Sequence, residues 1–427
     1  MQPTIDRRDF VQMGVAASLA SGLGASLHAE EPKPPIRLGV VGVGGRGTYL
    51  LRVALAAGVE VPALCDVNEA NLARATELVA QARGGARPEG YSQGPEDYLR
   101  MLERDDLDAI LVGTGMQIHA PISVAAMKAG KHVLCEVAAA MTLDECWQLV
   151  DAVEATGRIY MMAENCCYWE HVMMVDQMVE QGLLGELTFA ECGYVHDCRS
   201  LKLAADGSLT WRGEMIRDQA GDNYPTHNLG PVARWFGINR GNRFVSLVSR
   251  ATGQRSWQAF LAERLPPEHP TRKIEYKGAD SVSTLIHTAN GALIDVRYDI
   301  SSPRPAWGPY FALQGTKGSF ETRTQRQIWL EGRTEGHKWQ PLADYASEFE
   351  PPKWRQFREQ AQATGHGGAD FFVIHEFLDA VRNGGPSPVD VYDAVAWSCI
   401  IALSHKSIVE GGREQEVPDF TRGKWKA

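Results

Sequence analysis

Arg37-Leu38-Gly39-Val40-Val41-Gly42-Val43-Gly44-Gly45-Arg46-Gly47-Thr48-Tyr49-Leu50-Leu51 is the stretch from which the remainder of the 427-residue chain can be read. Arg37 to Val43 is a nearly continuous apolar run, and an alanine- and leucine-rich helical pattern follows the glycines at once. The order is strand, glycine turn, helix. Gly42 permits the tight turn, Gly44 lets a pyrophosphate approach the backbone, and Gly47 lets the helix pack on the strand, while the free N–H groups of the helix start face the anion. Gly45 and Arg46 lie inside the same turn and count with it as candidate cofactor contacts. A second apolar run, Val59 to Cys65, ends in Asp66, where a dinucleotide-binding unit puts the carboxylate that accepts from the ribose hydroxyls. No Arg or Lys follows at Val67-Asn68-Glu69 to receive a 2′-phosphate, so the pattern favours NAD over NADP. A glycine-rich turn in another α/β fold is the competing reading.

Working outward, Asn68 to Arg83 has helical periodicity and Gly84 to Gly94 reads as a polar loop. Asp108 to Gly113 is a buried-type strand, Ile122 to Ala129 a helix with Pro121 in its first turn, and Gly130 to Glu136 the next strand. Thr142 to Thr156 is a helix that opens on a capping pattern, Thr142 with Glu145. Strands alternating with helices at this spacing predict an α/β, doubly wound parallel sheet, a Rossmann dinucleotide-binding domain over residues 31–160. Ligands of such sheets lie at the strand C-terminal ends, which makes Thr114, His119 and Glu136 candidates for the nicotinamide region. Residues 161–427 read as a second, α+β domain for substrate and oligomerisation. Its alternating runs at Ser281 to Thr288, Leu293 to Ser301 and Tyr310 to Gln314 predict an open, mainly antiparallel sheet, with helices at Phe371 to Arg382 and Val391 to Glu410. Thr322 to Glu350 reads as polar and irregular, a lid or a subunit contact.

A net charge of −10 argues against broad nucleic-acid or anionic-membrane binding and favours a small polar substrate. The eight cysteines show no CxxC spacing, which gives neither a zinc site nor a disulfide framework. Residues 1–30 read as a signal: Arg7-Arg8, Phe10, then a weakly apolar Ala/Gly/Ser-rich run, too short for a comfortable membrane span. This resembles a twin-arginine export signal and implies a periplasmic or otherwise exported protein, folded with its cofactor before transport. A disordered tail with a chance arginine pair is the alternative. Glu31-Pro32-Lys33-Pro34-Pro35 would be a stiff linker.

Gly130-Lys131-His132-Val133-Leu134-Cys135-Glu136-Val137-Ala138-Ala139-Ala140-Met141-Thr142, with a histidine after the preceding strand, is similar to the Gfo/Idh/MocA oxidoreductases. Those usually show Glu-Lys-Pro after GKHV, and the lysine that moves a proton at the substrate hydroxyl is absent here. Further motifs, Met162-Ala163-Glu164-Asn165-Cys166-Cys167-Tyr168, Tyr194-Val195-His196-Asp197-Cys198-Arg199-Ser200, Tyr224-Pro225-Thr226-His227-Asn228-Leu229-Gly230-Pro231 and His366-Gly367-Gly368-Ala369-Asp370-Phe371-Phe372, resemble the glycoside hydrolase family 109 branch, the NAD-dependent glycosidases typified by α-N-acetylgalactosaminidase. The resemblance runs from about Arg37 to Gly411.

Glycosidases usually need a carboxylate pair flanking the scissile bond, and no such pair stands out. An NAD route does without it. Oxidation of the sugar C3 hydroxyl to a ketone acidifies the C2 proton, a base removes it, the C1 substituent leaves, water adds, and the ketone is reduced again. By resemblance Tyr168 is the tyrosine placed for C2 deprotonation, His227 the histidine near C3, Tyr224 a substrate-binding tyrosine and Glu136 the glutamate beside nicotinamide and sugar. His196 and Arg199 are candidates for ring contacts, and Asn165 is counted with the cofactor contacts. Each has a plainer reading beside it: Tyr168 as a core aromatic, His227 as a helix cap, His196 and Arg199 as members of an ion pair with Asp197. His366 and Asp370 could close the site or tie the last helix to the sheet.

Three departures fall at the expected sugar pocket: Thr114-Gly115-Met116 for Thr-Pro-Trp, Ala306-Trp307 where a tyrosine follows Ser-Pro-Arg-Pro, and Glu136-Val137-Ala138 for Glu-Val-Pro. The expected partners are NAD, a small-molecule glycoside and, by analogy with the architecture, a second copy of the chain. An NAD-linked sugar dehydrogenase is the alternative function, and a non-catalytic sugar-binding protein the third.

Overall fold

β1 (Arg37–Val41) forms where the sequence is apolar on both sides of the strand, because helices cover both faces of a parallel sheet. It sits at the centre of six parallel strands with β2 (Glu60–Cys65), β3 (Glu89–Tyr91), β4 (Ala109–Val112), β5 (His132–Cys135) and β6 (Tyr160–Met162), in the order β3-β2-β1-β4-β5-β6. The chain order reverses between β1 and β4, and that switch point opens a crevice at the strand C-terminal ends. The connecting helices are α1 (Gly45–Ala56), α2 (Glu69–Ala82), α3 (Asp97–Leu102), α4 (His119–Lys128) and α5 (Leu143–Thr156). The expected capping box at Thr142 and Glu145 is in place. The computed structural model describes residues 34–305 and 308–426. The export-signal reading of residues 1–30 and the departure at Ala306-Trp307 therefore lie outside the described residues.

Three sequence expectations change. Gly84 to Gly94 is not all loop, because Glu89–Tyr91 pairs with β2 as the edge strand. β6 carries the first sheet to Met162, past the boundary at 160. α4 begins at His119 rather than Ile122, which places Pro121 at its third residue, still in the first turn.

The glycine turn is built by close approach. Gly42 has φ +86°, and a Cβ on Gly47 would lie 1.8 Å from the Gly42 carbonyl oxygen, so α1 can meet β1 only without a side chain there. Gly47→Ala is accordingly expected to weaken NAD retention at least about tenfold, because any shift that relieves the clash moves the helix start. The 260/280 nm absorbance ratio of the purified protein measures it, and an unchanged ratio would contradict the packing.

The second sheet has nine strands: β7 (Leu187–Val195), β8 (Phe244–Ala251), β9 (Val282–Thr288), β10 (Leu293–Asp299), β11 (Pro309–Gly315), β12 (Gly318–Glu321), β13 (Gln327–Leu330), β14 (Gln340–Pro341) and β15 (Gln415–Glu416). Their order is β14-β13-β12-β11-β7-β10-β9-β8-β15, antiparallel throughout except for the β7–β10 pair. β9 alternates strictly, with Val282, Thr284, Ile286 and Thr288 buried and Ser283, Leu285 and His287 outward. Thr322 to Glu350, expected to be irregular, supplies β13 and β14 and buries Ile328, Leu330, Leu342 and Phe349. Its apolar residues are too sparse for a periodic signal, yet they sit under the edge of the sheet. The expected helix at Val391 to Glu410 is two helices, Val391–Ser398 and Ile400–Val409, interrupted at Cys399. α6 (Glu170–Glu180), α7 (Trp211–Asp218) and α8 (Thr226–Trp235) complete the frame around the crevice. All eight cysteines are buried free thiols. Among the described residues, no helix is long and apolar enough to cross a membrane.

Candidate active site

The crevice at the switch point is a cavity of about 480 Å³, lined among others by Gly42, Gly44, Gly45, Arg46, Asp66, Thr114, Glu136 and Val137. Gly44 precedes α1 without a side-chain cap, and a Cβ on Gly45 would meet nothing within 4 Å. The first N–H groups of α1 thus face open space, which suits a pyrophosphate. Asp66 Oδ2 accepts from the Val43 N–H at 2.8 Å and Oδ1 from the Asn68 N–H at 2.8 Å, so one carboxylate shapes the turn and borders the cavity. This donor set fits NAD: a bare helix start for the diphosphate, a carboxylate for a ribose. Val137 occupies the wall position next to Glu136, where the lysine of sugar dehydrogenases is missing.

Arg46 has a second task. Its Nε donates to Glu136 Oε1 at 2.8 Å, and Nη2 and Nη1 donate to Asp370 Oδ1 and Oδ2 at 2.7 and 3.0 Å. The Asp370 side chain is fully buried at the start of the helix Ala369–Asn383. Burial alone would raise its carboxyl; hydrogen bonds from His366 and Arg46, and their charge, hold it far below the usual carboxylate range. Asp370 therefore ties the last helices to the glycine turn, the second of the two roles open from sequence. Asn165 was expected at the cofactor. It instead donates from Nδ2 to Asp370 Oδ1 at 3.1 Å and does not line the cavity, because its amide is turned into this buried network.

His119 is also displaced from its expected role. Its Nδ1 lies 2.8 Å from the Ala138 carbonyl and Nε2 3.1 Å from the Thr114 carbonyl. Carbonyl oxygens only accept, so these two contacts favour the ring with protons on both nitrogens. Burial disfavours that cation, but Cys135 and the two carbonyls raise its pKa to about 9. The ring staples the loop after β4 to the loop after β5 and leaves Thr114, rather than itself, on the cavity wall.

A smaller cavity of about 70 Å³ adjoins the first and shares Trp211, Arg212 and Tyr224 with it. Tyr194, His196, Met215, Asn223 and Tyr298 are among its other walls. Tyr194 and His196 arrive together because i and i+2 residues at the end of a strand share a face. Tyr224 and His227 straddle the start of α8, with ring centroids 5.0 Å apart, and Tyr194 lies 5.2 Å from the first and 5.6 Å from the second. His227 Nδ1 stands 2.8 Å from Glu164 Oε1. Burial would raise the Glu164 carboxyl, but the hydrogen bonds it accepts from His227 and the Cys166 N–H keep it below its ordinary value. A carboxylate accepting from Nδ1–H fixes the tautomer and leaves the Nε2 lone pair free to take a proton. Burial and the nearby Glu136 charge push the Tyr224 phenol up, so it stays protonated. Cys166 brings its sulfur within 4.8 Å of the Glu164 and His227 ligand atoms, and burial and the Glu164 charge raise that thiol well above its ordinary value.

His227 itself lines neither cavity and reaches the aromatic one only through its contacts with Tyr194 and Tyr224, and two more expected residues do not join the site. Tyr168 is buried with its ring stacked on Phe372 at 6.4 Å, its carbonyl accepting from Trp354 Nε1 at 2.8 Å, and it borders neither cavity. The run Asn165–Tyr168 is a single 3-10 turn, and that turn directs the tyrosine into the core. Arg199 forms a bidentate pair with Asp197, Nε–Oδ1 2.9 Å and Nη2–Oδ2 2.8 Å, beneath Phe260, and is thereby drawn off the cavity wall. Glu164, Tyr194, Trp211 and Arg212 were not singled out from sequence. A carboxylate two residues after the buried strand Tyr160-Met161-Met162 is a readable signal for Glu164; the polar loop before Trp211 carries none.

Residues 36–164 match the oxidoreductase family with an NAD-binding Rossmann fold, and residues 168–427 match the C-terminal domain of glycosyl hydrolase 109. A glycosyl hydrolase family 109 protein of Stenotrophomonas maltophilia is 38% identical over 441 residues, covering 98% of this chain and 96% of that one. An alpha-N-acetylgalactosaminidase of Tannerella forsythia is 35% identical over 458 residues, covering 98% and 97%. In structure, levoglucosan dehydrogenase in complex with NADH superposes with a TM-score of 0.69 at 19% identity, over 90% of this chain and all of that one, which is a likeness of fold.

Proposed function

The chain belongs to glycosyl hydrolase family 109, and from that premise we propose that it hydrolyses a hexoside or N-acetylhexosaminide by oxidation at C3, elimination across C1 and C2, addition of water and reduction, keeping its NAD throughout. The observation that carries this reading is the meeting of the cofactor crevice and the aromatic cavity at Tyr224, with the His227–Glu164 pair beside it. Bound NAD supplies a reversible two-electron oxidation of a secondary hydroxyl. The chain's own groups handle protons and position.

His227 takes the C3 hydroxyl proton on Nε2, and the ionised Glu164 behind it stabilises the imidazolium that results. Glu136, aligned by Arg46 and bordering the crevice, takes the C2 proton once a neighbouring ketone has acidified it, the task expected of Tyr168 from the sequence. Tyr224, protonated, donates to a ring oxygen, and Trp211 offers a face for the sugar. Without a lysine at Val137, a proton-transfer group of the sugar dehydrogenases is missing.

The test is a screen against α- and β-linked p-nitrophenyl glycosides and N-acetylhexosaminides in D₂O, following p-nitrophenol and NADH absorbance together. Aglycone release without net NADH, and deuterium at C2 of the sugar, is the expected result. Stoichiometric NADH from a free sugar with no aglycone release would replace this reading with a dehydrogenase.

A further inference from the structure

Asn223 is 1% exposed, yet its side-chain Oδ1 and Nδ2 both lack a hydrogen-bond partner among the described residues. Leaving a buried amide unpaired is costly, so such a group needs a reason. Asn223 lines the aromatic cavity, and His196, on the same wall, has an unpartnered buried Nδ1. The backbone around Asn223 is fixed on both sides. The Asp222 N–H donates to Ser404 Oγ at 2.9 Å and the Tyr224 N–H to Asp222 Oδ1 at 2.9 Å. Gly221 is pressed so close that a Cβ there would lie 2.2 Å from Ser404 Oγ. The loop backbone is held in one position, which keeps Asn223 on the cavity wall.

A side-chain amide presents one acceptor and one donor side by side in a plane. Two adjacent hydroxyls of a pyranose form the matching pair, one donating to Oδ1 and the other accepting from Nδ2. An acetamido group, being a trans amide, sends its C=O and N–H to opposite sides and satisfies only one of the two atoms. The surrounding Tyr194, Trp211, Tyr224 and Tyr298 supply the apolar faces that sugar C–H groups cover. We propose that Asn223 is a specificity-determining residue of this chain and reads two adjacent free hydroxyls of the bound sugar. The assignment rests on the reading of this cavity as the sugar pocket, and it is tested by binding rather than turnover.

The purified protein with its NAD is titrated with D-galactose, D-glucose and their 2-, 3-, 4- and 6-deoxy forms, followed by calorimetry and by the fluorescence of Trp211 in the cavity wall. Wild type is expected to lose about 10- to 100-fold in affinity when either of two neighbouring hydroxyls is removed, because one buried atom is then left unpaired. Asn223→Leu binds the parent sugar that much more weakly and treats those two deoxy sugars like the parent. Asn223→Asp, which keeps only acceptors, loses discrimination at one of the two positions. An unchanged melting temperature and NAD absorbance show that each variant is folded. The proposal is overturned if Asn223→Leu binds the parent sugar as wild type does, if it weakens every sugar alike while still discriminating, or if wild type binds none of them. Absence of glycoside turnover with binding that depends on Asn223 would remove the glycosidase reading and leave this one standing.

Discussion

His227→Asn lowers kcat for glycoside cleavage by about 10²- to 10⁴-fold while NAD content and melting temperature stay near those of the wild type. The amide can still donate to Glu164, so the buried carboxylate keeps a partner and the fold is not burdened with an unpaired charge. What is lost is the Nε2 lone pair on which the proposed proton transfer depends. His227→Ala would remove both and is the poorer experiment for that reason. Glu164→Gln tests the other half of the pair: its amide can donate to Nδ1, fixing the wrong tautomer and turning Nε2 into a donor, with a loss in kcat of up to about 10⁴-fold. Steady-state kinetics on the responsive glycoside give both values. Retention of kcat within a few-fold in His227→Asn would show that the proton goes elsewhere, and Glu136 would be the next group to change.

The parts of this site that were legible in the sequence are those whose chemistry is local. Gly42, Gly44 and Gly47 act within one turn, Asp66 hydrogen-bonds back to that turn, and Glu136 follows its strand directly, so spacing along the chain stands in for distance in space. Tyr224 and His227 lie on either side of a helix start and travel together. Tyr168 and Glu164 show where this reasoning stops. They are four residues apart in one motif, and only the 3-10 turn between them decides that the carboxylate meets His227 while the ring enters the core. Asn165 and Asp370 are joined across 205 residues, and no local pattern announces such a contact. The same holds for β3 and for the edge strand β14 within Thr322 to Glu350, which are too short to show a period of two and are held by their neighbours in the sheet.

Arg46→Met has the largest expected effect on stability. The guanidinium separates two carboxylates that are 9% and 0% exposed, and without it both must be neutralised or remain buried near one another. Removing one member of a buried ion pair costs about 3–5 kcal/mol. His366, whose Nδ1 is 2.7 Å from Asp370 Oδ2, offsets part of this and places the expectation at the lower end. In a chain of this size that corresponds to a fall in melting temperature of about 3 °C. The pH dependence carries the sign. Because the folded Asp370 carboxyl is held below its ordinary value, its contribution is complete above the usual carboxylate range and is lost as pH falls through that range toward the depressed folded value. In Arg46→Met the depression is relieved, so the gap between the two proteins is widest near neutrality and narrows on acidification. Arg46→Met/Asp370→Asn should recover part of the loss, since the variant no longer buries an unpaired charge at that helix start. Thermal melts of the three proteins between about pH 2 and pH 7 distinguish this from simple loss of packing by the arginine stem, which would give a gap independent of pH and no recovery in the double variant.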